Sequence, residues 1–85
     1  MLKGMPIQKR KLADEVRERL LGMIESGELR PGDVLPSERE MMDGLGVGRP
    51  AIREAMQSLE RAGLIQIRHG ERARVAEPSM NRMID

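Results

Sequence analysis

Apolar residues recur at helical spacing in the first third of the chain. Residues 9–26 place five of them on one side of a helix, with charged residues on the other: Leu12, Val16, Leu20, Met23 and Ile24. Ser26-Gly27 is a suitable end. The pattern predicts a first helix over residues 9–26.

A second helix is predicted over residues 37–45. Ser37 and Glu40 have the spacing of a capping box, in which the hydroxyl and the carboxylate each accept an N–H of the first turn. Met41, Met42 and Leu45 supply the apolar side. This helix follows a turn-rich connector, residues 28–36, in which Val34 and Leu35 either form a very short strand or fill the core.

Residues 46–63 are the stretch around which the chain is organised. Pro50 suits a first helical turn, Gly63 suits a helix end, and four apolar residues between them fall on one stripe: Ile52, Ala55, Met56 and Leu59. Only Gly46-Val47-Gly48 separates this helix from the previous one. Two helices joined by so short a turn are expected to cross steeply, as in a helix-turn-helix.

The chain after Gly63 predicts a β-hairpin. Residues 64–68 are apolar and β-branched, His69-Gly70-Glu71-Arg72 is a turn, and residues 73–76 run back. A hairpin of this size is barely stable alone, so Ile65, Ile67 and Val75 are expected to pack on the helices. The predicted fold is mainly α with a small β-hairpin, a winged helix-turn-helix of three helices plus a two-stranded wing.

Arg49, Arg53 and Gln57 stand four residues apart on the third helix, off its apolar stripe. Their side chains have the forked hydrogen-bonding geometry that reads base edges in the DNA major groove. This row therefore indicates a DNA recognition helix. The alternative is a solvated face, with Arg49 paired to Glu54 or Arg53 to Gln57.

Composition narrows the function. The 85 residues hold no Cys, no aromatic residue and one His, so disulfides and thiolate metal sites are excluded and an enzyme has few catalytic groups to use. Single-stranded nucleic acid is disfavoured because its binding relies on aromatic stacking. A protein-docking module is a second hypothesis, but it would expose apolar or aromatic anchors. Without a signal peptide or membrane-spanning run, a cytoplasmic location is expected.

Charge is unevenly distributed along the chain. Residues 1–11 hold four basic and no acidic side chains, residues 12–45 hold four basic and nine acidic ones, and residues 46–85 hold seven Arg and five acids. Positive charge thus lies at the N-terminus and in the C-terminal half, which suits a module that turns one side toward a polyanion.

Several motifs occur together in order: Leu35-Pro36-Ser37-Glu38-Arg39-Glu40, Leu45-Gly46-Val47-Gly48-Arg49, Ile52-Arg53-Glu54-Ala55, Leu59-Glu60-Arg61-Ala62-Gly63-Leu64-Ile65 and His69-Gly70. Over residues 9–77 the chain resembles the DNA-binding domain of GntR-type bacterial transcription regulators, in particular the FadR branch. The resemblance implies sequence-specific binding of double-stranded DNA by a regulator, most often a repressor of a catabolic operon. The operator would be a palindrome bound by a homodimer, with the recognition helix in the major groove and the wing in the minor groove.

By motif position, the resemblance implies six DNA-binding residues: Arg39, Gly48, Arg49, Arg53, His69 and Gly70. Two positions depart from the family pattern. Gly48 stands where Ser or Thr is usual, so a capping hydroxyl is missing, and Pro50 replaces a residue that often contacts DNA. For two other residues there is an alternative to DNA contact. Arg39 would instead form a salt bridge with Glu40 or Asp43, and His69 would be an exposed turn residue without a functional role.

The resemblance also implies a domain order. Residues 1–8 are expected to be a flexible arm, residues 9–77 the DNA-binding domain, and residues 78–85 a linker toward an absent C-terminal effector domain. That effector domain would bind a small metabolite, in some members together with a metal. No cofactor is expected in the DNA-binding domain itself.

Overall fold

The computed structural model describes residues 8–77, which form three helices and a two-stranded sheet. The elements are α1 (Gln8–Ser26), α2 (Glu38–Leu45), α3 (Arg49–Arg61), β1 (Ile65–Gln66) and β2 (Arg74–Val75). The predictions for the arm and for the linker lie outside the described residues, apart from Gln8, which begins α1.

Helix α1 packs lengthwise against α3 and contributes Ala13, Val16 and Leu20 to the core. Leu12, predicted to be part of this stripe, is 40% exposed, so that part of the prediction is wrong. Successive residues of a helix turn by about 100°. Since Ala13 and Leu20 face α3, Leu12 falls at the edge of the contact rather than inside it.

Helix α2 begins with the predicted capping box. The Ser37 Oγ accepts the Glu40 N–H at 3.0 Å, and the Glu40 Oε1 accepts the Ser37 N–H at 2.8 Å. At the other end, Gly46 has φ +70 and its N–H donates to the Met42 carbonyl at 2.9 Å. Both ends of this eight-residue helix are therefore closed by local hydrogen bonds.

Helix α3 buries the predicted stripe of Ile52, Ala55, Met56 and Leu59, together with Ala51. The Gly63 N–H donates to the Glu60 carbonyl at 2.9 Å, and the Leu64 N–H donates to the Leu59 carbonyl at 3.0 Å. This pair of bonds is a Schellman motif, and Gly63 supports it because its φ of +80 disfavours other residues. The predicted end of the helix is confirmed.

The hairpin is shorter than predicted. Its antiparallel ladder pairs Ile65 with Val75 and Gln66 with Arg74. Ile65 and Val75 are buried as expected, but Ile67 is 39% exposed, so its assignment to the core is wrong. The strand ends at Gln66, and without a continuing ladder the alternation that would bury Ile67 beside Ile65 is lost.

The connector between α1 and α2 completes the sheet edge. Val34 forms an isolated antiparallel bridge with Arg74, and the Leu35 N–H donates to the Ala73 carbonyl at 2.9 Å. Leu35 itself is completely buried. The sequence left open whether Val34 and Leu35 form a short strand or fill the core. Each outcome is seen once: Val34 pairs with Arg74 as a strand residue does, and Leu35 fills the core. The described chain is a winged helix-turn-helix, as predicted.

Candidate nucleic-acid interface

The outward face of α3 carries the predicted row of Arg49, Arg53 and Gln57, all exposed. The opposite face of the same helix is buried against α1, so the row has a fixed direction relative to the core. Arg49 occupies the first position of the helix, next to Pro50. The end of α3 nearest α2 is thus the part that presents both guanidinium groups.

Glu38, the first residue of α2, contacts both arginines. The Arg49 Nε lies 3.3 Å from its Oε1, and the Arg53 Nε lies 3.2 Å from its Oε2. The pairs that were the alternative to DNA contact, Arg49 with Glu54 or Arg53 with Gln57, do not form. The arginine side chains remain 52% and 61% exposed, so this pairing leaves them at the surface rather than folded into the core.

A groove of about 610 Å³ separates α3 from the wing, with the start of α2 at its end. Its floor is apolar, with Met41, Met56 and Ile67, and its sides carry polar and charged side chains: Ser37, Arg39, Arg53, Gln57, Glu71 and Arg72. The groove joins the predicted residues Arg39 and Arg53 to the base of the wing. Arg49 lies outside its lining and is connected to it through Glu38.

Arg39 is exposed on α2. Within residues 8–77 it forms no ion pair, so neither alternative partner, Glu40 or Asp43, holds it. Glu40 instead accepts the Ser37 N–H and lies 3.4 Å from the Arg72 Nη2. Arg39 is therefore available to an external anion beside the groove.

His69 and Gly70 form the tip of the wing, and both are exposed. Gly70 has φ +77, a conformation that disfavours a side chain, and a Cβ built there would meet no atom within 4 Å. The turn is closed by the Glu71 N–H, which donates to the Arg68 carbonyl at 3.0 Å. The tip thus offers an imidazole and a bare backbone to whatever the wing contacts.

Two wing arginines have structural roles that the sequence pattern did not reveal. The Arg72 Nη2 donates to the Leu35 carbonyl at 2.6 Å, and the Arg74 Nη1 donates to the Gly32 carbonyl at 2.9 Å. Both bonds fasten the hairpin to the connector. The spacing of residues along the chain could not indicate these bonds, because they join residues 37 and 42 positions apart.

Gly48 is the N-cap of α3 and has no side chain to accept a cap hydrogen bond, as expected. Its backbone is extended, with φ −86 and ψ 169, and a Cβ would meet the Pro50 Cδ at 3.5 Å, an ordinary contact. The glycine is therefore not required by the backbone. A residue with a Cβ, such as serine, would meet no steric clash at that atom.

One carboxyl in the first turn of α2, that of Glu40, has a perturbed pKa. The hydrogen bond from the Ser37 backbone N–H lowers the pKa of Glu40 below its ordinary value of 4.5, against a partial opposing effect of desolvation. The Ser37 hydroxyl and the Arg72 guanidinium lower it further. The lowered pKa favours the ionised form of Glu40, whose carboxylate accepts the Ser37 N–H and closes the start of α2.

The described residues hold no cluster of three or more His, Asp or Glu side chains suited to a metal ion. In the same part of the chain, none of the helices combines the length and apolar character needed to span a bilayer. The functional groups at the interface are guanidinium, imidazole, amide and carboxylate side chains together with exposed backbone.

Comparison with known proteins places this architecture in a family. Residues 12–75 match the model described as bacterial regulatory proteins, gntR family. The chain belongs to this family. The HTH-type transcriptional repressor NanR of Enterobacter sp. (strain 638) is 49% identical over 83 residues, which cover 98% of this chain and 32% of that repressor. NanR of Escherichia coli (strain K12 / DH10B) is 48% identical with the same coverage.

Solved structures of other DNA-binding regulators share the fold. AraR(DBD) in complex with operator ORX1 aligns with a TM-score of 0.74 and 32% identity, over 76% of this chain and 78% of that one. YtrA from Sulfolobus acidocaldarius, a GntR-family transcription factor, aligns with a TM-score of 0.70 and 30% sequence identity, over 96% of this chain and 84% of YtrA. These matches confirm the winged helix-turn-helix and the resemblance to GntR regulators, and the NanR matches agree with the expected FadR branch. The relatives are regulators, not enzymes, and this chain spans about a third of the length of the NanR repressors.

Proposed function

We propose that this chain is the DNA-binding domain of a bacterial GntR-type repressor of a catabolic operon, and that it binds double-stranded DNA sequence-specifically. The observation that carries the proposal is the row of Arg49, Arg53 and Gln57, exposed along a helix whose opposite face is anchored in the core. The AraR(DBD) structures with operator DNA support it, since they share the fold at 32% identity.

Helix α3 is assigned to the major groove, which is wide enough to admit a helix. There Arg49 and Arg53 read base edges, and a bidentate contact of one Arg to guanine contributes roughly 1–3 kcal/mol of discrimination. The wing tip, with His69 and Gly70, is assigned to the adjacent minor groove. The sugar–phosphate strand that separates the two DNA grooves then lies along the protein groove between α3 and the wing.

Within this arrangement the remaining predicted residues contact the backbone of the duplex. Arg39 lines the protein groove, is exposed, and forms no ion pair in the described part of the chain. We assign its guanidinium group to a phosphate. The Gly48 N–H, at the start of α3, is assigned to a second phosphate, because helix N-termini favour anions. Phosphate contacts of this kind set orientation rather than sequence preference.

We further propose that two copies bind one palindromic operator, one per half-site. A palindrome presents the same base pattern twice, and half-sites about one helical turn apart place two such helices on the same side of the duplex. Sedimentation of the chain with a selected palindrome should give two chains per duplex. A single chain per palindrome at saturation would contradict the dimer.

The function is tested by selection of bound duplexes from a random pool, followed by fluorescence anisotropy with a selected and a scrambled duplex. Because even one or two bidentate contacts are worth roughly 1–3 kcal/mol each, the selected duplex should bind at least about tenfold more tightly. Equal affinities for both duplexes at moderate salt would contradict the proposal. The effector domain and its metabolite remain predictions about parts of the relatives that this chain does not span.

A further inference from the structure

An acidic side chain lies within the proposed cationic interface. Both oxygens of Glu38 are occupied by guanidinium groups, that of Arg49 at 3.3 Å and that of Arg53 at 3.2 Å. We propose that Glu38 is a positioning residue for sequence discrimination, whose bridging carboxylate orients both arginines toward base edges and restrains them from unselective phosphate binding. The inference rests on the proposed DNA binding and adds to it a residue that determines specificity.

The geometry of the bridge leaves the reading ends of the arginines available. Both contacts with Glu38 are made through Nε. Within the described residues, neither arginine donates a hydrogen bond from its Nη nitrogens. The paired Nη groups at the far end of a guanidinium are able to donate together to the O6 and N7 of guanine. Glu38 thus holds each guanidinium group at its Nε, and the two Nη nitrogens remain available to an external acceptor.

The local structure keeps the carboxylate in place. Glu38 directly follows Ser37, whose backbone and side chain are both fixed by the capping box with Glu40. The Glu38 side chain is 37% exposed, less than either of its partners. The start of α2 therefore acts as a fixed support against which the two arginines of α3 are aligned.

The charges explain why the bridge favours selective binding. Arg49, Arg53 and Glu38 together carry one net positive charge rather than two. On an unmatched duplex the base edges offer no acceptor in the direction in which Glu38 holds the Nη groups, so close phosphate contacts require the guanidinium groups to turn away from the carboxylate, which also repels those phosphates. On a matched duplex the Nη groups reach base edges while the Nε contacts persist. Glu38 therefore weakens the unselective mode more than the selective one.

The decisive variant is Glu38→Gln, which keeps the side-chain size but removes the charge and replaces one of the two accepting oxygens by an NH2 donor, so one of the two arginines loses its acceptor. Glu28→Gln is the matched control, since it makes the same charge change at an exposed position of the connector. Affinities for the selected and the scrambled duplex are measured by anisotropy between about 50 and 200 mM salt. Far-UV circular dichroism confirms that each variant is folded at the temperature of the titration.

For Glu38→Gln we expect roughly three- to tenfold tighter binding of the scrambled duplex and a roughly tenfold fall in the selected-to-scrambled ratio. The slope of log K against log salt on the scrambled duplex should steepen by about 0.9 for each arginine released to a phosphate. Glu28→Gln should leave the ratio within about twofold of wild type, since Glu28 pairs with neither arginine and does not line the groove.

A second variant separates position from charge. Glu38→Asp keeps the negative charge but is too short to reach both arginines, so the ratio should fall without a gain in affinity for the scrambled duplex. A wild-type ratio in Glu38→Asp, or equal ratios in Glu38→Gln and Glu28→Gln, would overturn the role of Glu38 while leaving the DNA-binding function intact. A wild-type chain that does not discriminate between the duplexes would overturn both.

Discussion

Arginines on the candidate interface fall into two groups according to what their guanidinium groups touch. Arg72 and Arg74 donate to the carbonyls of Leu35 and Gly32, so they fasten the hairpin to the connector. Among the described residues, the guanidinium groups of Arg49 and Arg53 form ion pairs with Glu38 alone, and both side chains stay more than half exposed. The first group stabilises the scaffold, and the second is left for a ligand.

Replacement of Arg72 should separate these roles. Arg72→Ala removes the 2.6 Å bond to the Leu35 carbonyl, and we expect a loss of about 1 kcal/mol in the free energy of unfolding. Arg68→Ala, a change of the same charge on the same wing, has no such bond in the described structure and should leave stability within about 0.5 kcal/mol of wild type. Chemical denaturation measures both, and equal stabilities would contradict the assignment.

Local residue pairs were predictable from sequence, and distant ones were not. The capping box of Ser37 and Glu40 and the helix end at Gly63 depend on neighbours within a few positions, so their spacing alone predicts them. The bridge from Glu38 to Arg53 joins residues fifteen positions apart. It depends on how α2 and α3 meet, which the periodicity of either helix does not specify.

Among the elements, α2 is the shortest helix, and it depends most on its caps. The Ser37 N–H lowers the pKa of Glu40, so ionised Glu40 favours the folded state. Because the folded pKa lies below the unfolded one, this contribution is complete above the ordinary value of 4.5 and is lost as the pH falls through the folded pKa.

A pH series tests this contribution to α2. Wild type should be more stable than Glu40→Gln at neutral pH, and the difference in unfolding free energy should shrink steadily in acid below the ordinary carboxyl range. Glu25→Gln on the surface of α1 is the matched control for a lost carboxylate. A difference between wild type and Glu40→Gln that stays constant from neutral to acid pH would rule out the capping role of the ionised carboxyl.

Helix α1 provides a test of the corrected apolar face. Leu20 is 1% exposed and Leu12 is 40% exposed, although both belong to the stripe predicted from sequence. Leu20→Ala should lower the free energy of unfolding by roughly 2–5 kcal/mol, while Leu12→Ala should lower it by less than about 1 kcal/mol. Thermal and urea unfolding of the pair measure this, and equal losses would show that Leu12 is part of the core.

Element boundaries show where sequence reasoning is limited. The predicted helix ends lie within two residues of the observed ones, because apolar spacing and caps agree there. The hairpin was predicted longer than its two-residue strands, and Ile67 was placed in the core. A strand is defined by its partner, and the bridge between Val34 and Arg74 comes from a connector with no strand-like alternation of its own.

At the scale of the whole molecule, a small core without aromatic residues supports one outward-facing functional surface. The core is formed by α1, α2, α3 and the inner sides of the hairpin and the connector, and its largest fully buried side chains are Leu20, Leu35, Ile52, Leu59 and Ile65. Packing of α1 against one side of α3 leaves the other side of α3 and the wing free. The buried apolar face of α3 thus determines the direction in which Arg49 and Arg53 are exposed.

The central claim is that the exposed face of α3 reads DNA sequence, and Arg53→Ala tests it most directly. Anisotropy titrations with the selected and the scrambled duplex compare this variant with Arg19→Ala, which removes the same charge from the exposed surface of α1. Arg53→Ala should lose roughly 1–3 kcal/mol of discrimination while its circular dichroism remains helical, and Arg19→Ala should retain the wild-type ratio. Unchanged discrimination in Arg53→Ala, or an equal loss in both variants, would contradict the account.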